Sequence, residues 1–402
     1  MDRKLFLIFL LLTSLIAACD SSKDKNGLLE GDPEDGESER LQIVPVDLDE
    51  AREAKLSEYF SEIKYTLLDY SDEEPVVFAY NMDFTEDKIY VESRETAKVF
   101  VFDKNGKVLS ILGKNGDGPG EFRIIDDISV SGDTVRVEVG YANKYVLLNE
   151  QGDVLGEGKL DYRGVNYEDA RFSLHYIQEG EGGERWTYLR KDKATNEVQG
   201  YLPVREGFDQ FYSFGELNGF LKDPNTGEIY FAEHYDYLVQ NFDSDGYLKK
   251  TIRFDFGKNN WDLRSRLELT NKGIERQDFL AENQVVQSIR DFYPFEDLFF
   301  MSFGMQQKGY WIFMDKSLEN LDVINEWEND LDQMKLNYWS WAKAEDEIIY
   351  QKSSIGFFND YKAAFNGKSV VSKPGDVHHF FEENREKLQE EKIVLISLKL
   401  KR

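Results

Sequence analysis

The chain has 402 residues, with 49 Lys and Arg against 77 Asp and Glu, a formal net charge of −28 and one cysteine. So acidic a surface repels nucleic-acid phosphates and anionic lipid headgroups, which removes DNA and RNA from the expected partners and leaves membrane contact to an acyl anchor. With one cysteine there is no intramolecular disulfide; the fold must rest on its core, for which the chain is long enough.

The first elements are targeting signals. Met1–Lys4 is a short charged region, and Leu5–Leu15 is an apolar run of secretion-signal length, too short to span a bilayer. Ile16-Ala17-Ala18-Cys19 resembles a bacterial lipobox, in which the cysteine is acylated. The expected organisation is a signal peptide over 1–18, lipid attachment at Cys19, an acidic flexible tether over 19–49 and a folded domain over 50–402. The Asp, Glu, Ser and Gly content of the tether gives it little to bury.

Within the domain the first clear unit reads as strands Val76–Phe84, Lys88–Glu92, Lys98–Phe102 and Lys107–Leu112. Asn105-Gly106 between the last two is a strong hairpin signal and suggests a primed turn with φ > 0 at both residues. Gly113, Gly116, Gly118 and Gly120 follow in a loop where the chain crosses to the next unit. Sliding forward about 46 positions places Ile89-Tyr90-Val91 on Val135-Arg136-Val137 and Asn105-Gly106 on Gln151-Gly152. The second unit is therefore Ile124–Val130, Thr134–Val139, Lys144–Leu148 and Asp153–Lys159, with period-two alternation in Val135, Val137 and Val139. A further match, about three periods on, places Ile229-Tyr230-Phe231 and Asp243 to Gly246 on the same template. Such a period is that of a four-stranded propeller blade. With allowance for insertions, the length holds six.

The third blade is expected at Phe172–Gln178, Trp186–Arg190 and Glu197–Leu202. The fourth lies around Glu228–Ala232 and Leu238–Phe242, and the fifth around Leu298–Gly304 and Gly309–Met314. The sixth takes Tyr338–Ala342, Ile348–Gln351 and the terminal run Ile393–Lys401. Trp261–Arg290 and Leu318–Met334 have helical spacing and read as insertions, and Phe380–Glu391 reads as a helix. A ring must hide its edges, and Ile393–Leu398 has no strand after it while Ile63–Tyr70 has none before it. These two are expected to pair and close the sixth blade.

VFDKNGKVL followed by GKNGDGPGEF resembles the NHL-type crossover of the six-bladed β-propeller lipoproteins common in Bacteroidota. Leu56–Leu68 is similar to that family's leading segment, and EEKIVLISLKLK to its closing strand. The resemblance implies an all-β, six-bladed propeller with NHL-like blades and short helical insertions. It also implies a lipid-anchored location in the cell envelope, at the outer membrane on its periplasmic or surface face. It carries no catalytic residue and no cofactor to this chain.

Few residues point to chemistry. Asp126-Asp127 opens the inner strand of blade two, where carboxylates can meet a cationic ligand or cap backbone N–H groups. Trp311 and Trp339, with Tyr338 and Trp341, are candidates for a sugar- or peptide-stacking face, core packing being the competing role. Asn241, Asp243, Asp245 and Gly246 copy half a calcium loop, but Ile252 stands where the bidentate Glu belongs, so the segment reads as a turn. His175, His234, His378 and His379 show no zinc spacing, and no GxSxG, Walker or dinucleotide loop is present. No catalytic residue, metal site or cofactor is expected. The reading is a monomeric binding or scaffold module for a protein, peptide or glycan partner. The alternative is an NHL-like hydrolase or lyase with a metal or acid site in the funnel.

Overall fold

A computed structural model describes residues 40–401 apart from 78, 163, 178–185, 204–218, 234, 235, 270, 271, 337–339 and 341. Six separate sheets follow one another along the chain, each built on antiparallel strands. Blade one is Ala79–Phe84, Lys88–Ser93, Lys98–Asp103 and Val108–Leu112; blade two is Asp127–Ser131, Thr134–Val139, Lys144–Asn149 and Val154–Lys159. Blade three is Val165–Glu168, Phe172–Tyr176, Trp186–Asp192 and Val198–Pro203. Blades four and five run from Leu221–Lys222 to Leu248–Asp255 and from Ile289–Pro294 to Leu321–Glu328. Blade six takes Ala342–Ala344, Glu347–Ser353 and Ile393–Leu400.

The hairpin turns repeat one device. Asp103 Oδ1 accepts from the N–H groups of Asn105 and Lys107; Asn149 and Asp243 do the same for Gln151 and Asp153 and for Asp245 and Tyr247. Gly106, Gly152 and Gly246 have φ of +82°, +85° and +80°, whereas the residue before each glycine does not have positive φ. The register slips beside each turn. These are therefore bulged turns with one left-handed glycine, not the primed turns with two that the Asn-Gly pair suggests. The calcium-like segment at Asp243 is such a turn.

The apolar strand faces pack blade on blade. One core cluster joins blades one and two through Val99, Val101, Phe122, Val135 and Val146, and another joins blades six and one through Leu68, Val91, Phe100, Ile349 and Leu395. The second contact makes the array a ring. Its closure is the expected one: Phe60–Leu68 pairs antiparallel with Ile393–Leu400, with Leu395 opposite Thr66. Lys392, nearly fully buried, donates to the carbonyl of Tyr70 (2.6 Å) and ion-pairs with Glu390 (2.9 Å), which ties the two ends together.

The leading segment does more than close blade six. Leu41–Pro45 lies parallel to Leu248–Asp255 as a fifth strand on blade four, and Arg52–Lys55 lies parallel to Leu321–Glu328 on blade five. Residues 41–49 are thus a strand and a short 3-10 turn (Leu48–Glu50) rather than tether. Their acidic composition masked an alternation in which Val44 is buried and Ile43 exposed. Arg52 fixes the strap through Nε and Nη2 to the Asp322 carboxylate at 2.9 and 2.6 Å.

Two further differences concern helices. Among the described residues of Trp261–Arg290, helix is confined to Leu263–Leu269 and Gly273–Glu282. Leu318–Met334 contains the outer strand Leu321–Glu328, because a rim strand needs few apolar residues and its acidic ones face solvent. Blade six also carries Ser354–Phe365, which the sequence reading passes over, and Val377–Asn384 in place of Phe380–Glu391. Tyr361 and Phe381 from this pair stack with ring centroids 3.8 Å apart.

Candidate functional site

The second strand of a propeller blade is mostly apolar, yet five of the six blades carry a polar side chain at one equivalent position. Register places Glu92, Glu138, His175, Ser302 and Gln351 there, pairing in turn with Val99, Tyr145, Leu189, Trp311 and Leu395 on the third strands. Glu92, Glu138, His175 and Ser302 are buried. The innermost strands bring polar partners to them: Asp127 lies directly opposite Glu138, Asn166 opposite His175 and Asp291 opposite Ser302. A polar layer therefore surrounds the axis.

In blade five the layer is satisfied at Asp291. Asp291 accepts from Ser340 (2.7 Å), from Tyr293 (3.2 Å) and from Ser302. On the blade three side a relay runs through four residues. Ser173 Oγ lies 2.7 Å from His175 Nε2, His175 Nδ1 lies 2.6 Å from Asn166 Oδ1, and Asn166 Nδ2 donates to Glu138 Oε2 at 2.6 Å. Burial holds the His175 ring down to about 4, so it is neutral at pH 7.

Blades one and two differ. Asn81 donates to Glu92 Oε2 (2.7 Å), but Glu92 Oε1 has no hydrogen-bond partner and the residue is 0% exposed. Burial raises the Glu92 carboxyl to about 7. Asp127 is surrounded yet keeps part of its surface open; burial and then the Glu138 and Glu92 carboxyls push it well above the usual range. Asp83 is also raised, chiefly by burial, and its carboxylate accepts from the N–H of Val130 (2.7 Å), joining the inner strands of the two blades.

The sequence candidates fare unequally. Asp126 is a cap: its Oδ2 accepts from the Gly140 N–H at 2.5 Å, while Asp127 belongs to the polar layer. Trp311 is not on a ligand face. It is 3% exposed and packs beside Trp327 (5.8 Å between centroids), because both faces of its strand are covered by neighbouring blades. Trp339, Tyr338, Trp341, His234 and Cys19 lie outside the described residues. His378 bonds Tyr361 at 2.9 Å in the helical insertion, away from the layer. Gly113, Gly116, Gly118 and Gly120 form the crossover loop; Gly120, at φ +70°, would place a Cβ 2.4 Å from Val154 Cγ2. Among the described residues no three His, Cys, Asp or Glu side chains converge to hold a metal ion. The residues missed were Glu92, Glu138 and His175. The offset that reveals the repeat also superposes Glu92 on Glu138, each an acid within an apolar strand.

The fold and its axial polar layer define a six-bladed β-propeller. The chain belongs to the DUF5128 family, described as a 6-bladed beta-propeller, whose profile matches residues 34–351. Among solved structures it is similar to a Bacteroides fragilis protein described as a candidate exported protein. The two share 14% identity and a TM-score of 0.69 over 90% of this chain and 100% of that one. It is also similar to a DUF4221 family member from Bacteroides vulgatus, with 10% identity and a TM-score of 0.51 over 85% and 97% of the two chains. No curated protein matches the sequence.

Proposed function

We propose that the protein is a lipid-anchored binding module of the bacterial envelope, tethered through Cys19 and presenting its channel to a protein, peptide or glycan partner, without catalysis of its own. The observation that carries this reading is the uneven polar layer. A ring built for stability alone would satisfy it throughout, as around Asp291 in blade five; blades one and two instead crowd Asp127 against the Glu138 and Glu92 carboxyls and leave Glu92 Oε1 without a hydrogen bond, a costly arrangement. The signal-like N-terminus and the fold shared with a protein described as a candidate exported protein support the location.

Palmitate labelling of wild type and Cys19→Ala tests the anchor; equal labelling removes it. Cross-linking in intact cells, followed by isolation of the full-length protein from its membrane, tests the binding role. A discrete stoichiometric adduct is expected, and recovery of the bare protein alone would overturn it. Glu92, with its carboxyl raised to about 7, favours a second reading as an acid–base enzyme. Stoichiometric, tightly held zinc in the purified protein would turn the balance toward that reading.

A further inference from the structure

We propose that the channel wall between blades one and two binds an organic cation, an alkylammonium or guanidinium group, with Asp127 as its counter-ion and Glu92 and Glu138 as flanking acceptors. This rests on the reading of the protein as a binding module and names the chemistry of what it binds.

Four carboxyls lie along this wall, Asp83 and Glu92 from blade one and Asp127 and Glu138 from blade two, and the other three all act on Asp127 electrostatically. Two guanidinium groups stand near, and both are engaged. Arg136 Nε donates to Glu138 (3.1 Å), its Nη2 lies 3.7 Å from Glu168, and its guanidinium carbon lies 3.8 Å from the Tyr145 ring centroid. Arg94 Nε donates to the Ile125 carbonyl (3.1 Å) and its Nη2 lies 3.7 Å from Asp126. Among the described residues Asp127 has no basic partner, and its carboxylate accepts one hydrogen bond, from the Ile128 N–H at 2.8 Å.

A second observation points to a ligand. Glu92 Oε1 is buried and unpartnered, with only Arg94 Nε at 3.9 Å. A buried acceptor left without a hydrogen bond is destabilising, and a donor arriving beside it would remove that penalty. A metal ion is a poor fit, since these carboxyls do not converge on one point. An ammonium or guanidinium, with three to five donors spread in space, can bridge acceptors that a bare ion cannot. Burial raises Glu92 to about 7 in the free protein, and burial followed by the Glu138 and Glu92 carboxyls raises Asp127; a bound cation favours the ionised forms, so binding releases protons near neutral pH.

The test is calorimetric titration of the full-length protein in detergent with n-butylammonium and n-butylguanidinium chloride. Asp127→Asn and Glu138→Gln are the site variants, and Asp133→Asn, in an exposed turn, is the control. Saturable binding weakened about tenfold or more in both site variants, and unchanged in the control, is expected. Equal binding by wild type and Asp127→Asn, or no saturable binding, overturns the site. Tighter binding of calcium or magnesium than of either organic cation, lost in Asp127→Asn, would also overturn it in favour of a metal. If the cross-linked partner is still captured by Asp127→Asn, the binding role stands and this site alone falls. Free spermidine against a lysine-containing tripeptide then separates a small amine from a peptide source.

Discussion

Asp127 faces Glu138 directly across the two innermost strands of blade two, carboxyl opposite carboxyl. Sheets ordinarily place apolar or opposite charges at such a pair, and like charges there destabilise. The pair therefore sets the first prediction. Burial raises Glu92 from 4.5 to about 7, and it raises Asp127 as well. A group whose folded value is raised holds its proton more tightly when folded, so the destabilisation is absent below the unfolded value and grows as pH rises through the folded one. Glu92→Gln should stabilise the protein by about 3 kcal/mol at pH 8 and by almost nothing at pH 4. Asp127→Asn should act in the same direction. Denaturant melts across this range give the difference; a gain that does not shrink on acidification would contradict it.

His175 has the opposite sign. Its folded value is depressed to about 4 against 6.5, so stability is fully present above pH 6.5 and is lost as pH falls through the folded value. In proton NMR its ring resonances should stay fixed between pH 8 and 5. Titration near 6.5 would show that the relay to Asn166 and Glu138 is open to water.

Removing residues 393–402 should unfold the entire ring. The deletion strips Ile393, Val394, Leu395, Ile396, Leu398 and Leu400 from the core, and at roughly 1.5–3 kcal/mol for each buried side chain the loss matches a typical whole-domain stability. Lys392→Met is the milder probe. It leaves the Tyr70 carbonyl without its donor and should cost about 2–4 kcal/mol, read as a lower denaturation midpoint. An unchanged melting curve for the truncated chain would falsify closure by the two ends.

Gly120→Ala and Gly132→Ala separate shape from conformation. Both glycines have positive φ, +70° and +58°, but an added Cβ meets Val154 at 2.4 Å in the first and nothing within 4 Å in the second. Gly132→Ala should cost about 1 kcal/mol from backbone alone. Gly120→Ala should cost about 1–3 kcal/mol more through overpacking. Equal midpoints for the two variants would refute a tight crossover.

Blades one and two were readable strand by strand because each hairpin carries its turn chemistry locally: an Asx residue, a left-handed glycine and alternation on both sides. The strap was not. Leu41–Pro45 and Arg52–Lys55 are short, flanked by acids, and paired with strands more than 200 residues away, so nothing near them in sequence reports their partner. Leu321–Glu328 misled because a rim strand with few buried residues can imitate helical spacing. Trp311 misled because an aromatic residue looks the same in a core as on a binding face until its neighbours are known. Of the axial layer, Asp127 was visible as the start of an inner strand. Glu92 and His175 were hidden by belonging to strands whose other residues are core.

The strap also dictates an order of assembly. The stretch from 41 to 68 touches blades four, five and six in succession before blade one begins. When it leaves the ribosome none of its seats has yet been synthesised; they arrive only with residues 255, 328 and 400, so the closing pairing must wait for the last strand. Such long-range pairing is slow to form. A chain that cannot fasten until it is finished stays threadable throughout synthesis, which is the condition in which a polypeptide can be passed through a narrow translocation pore.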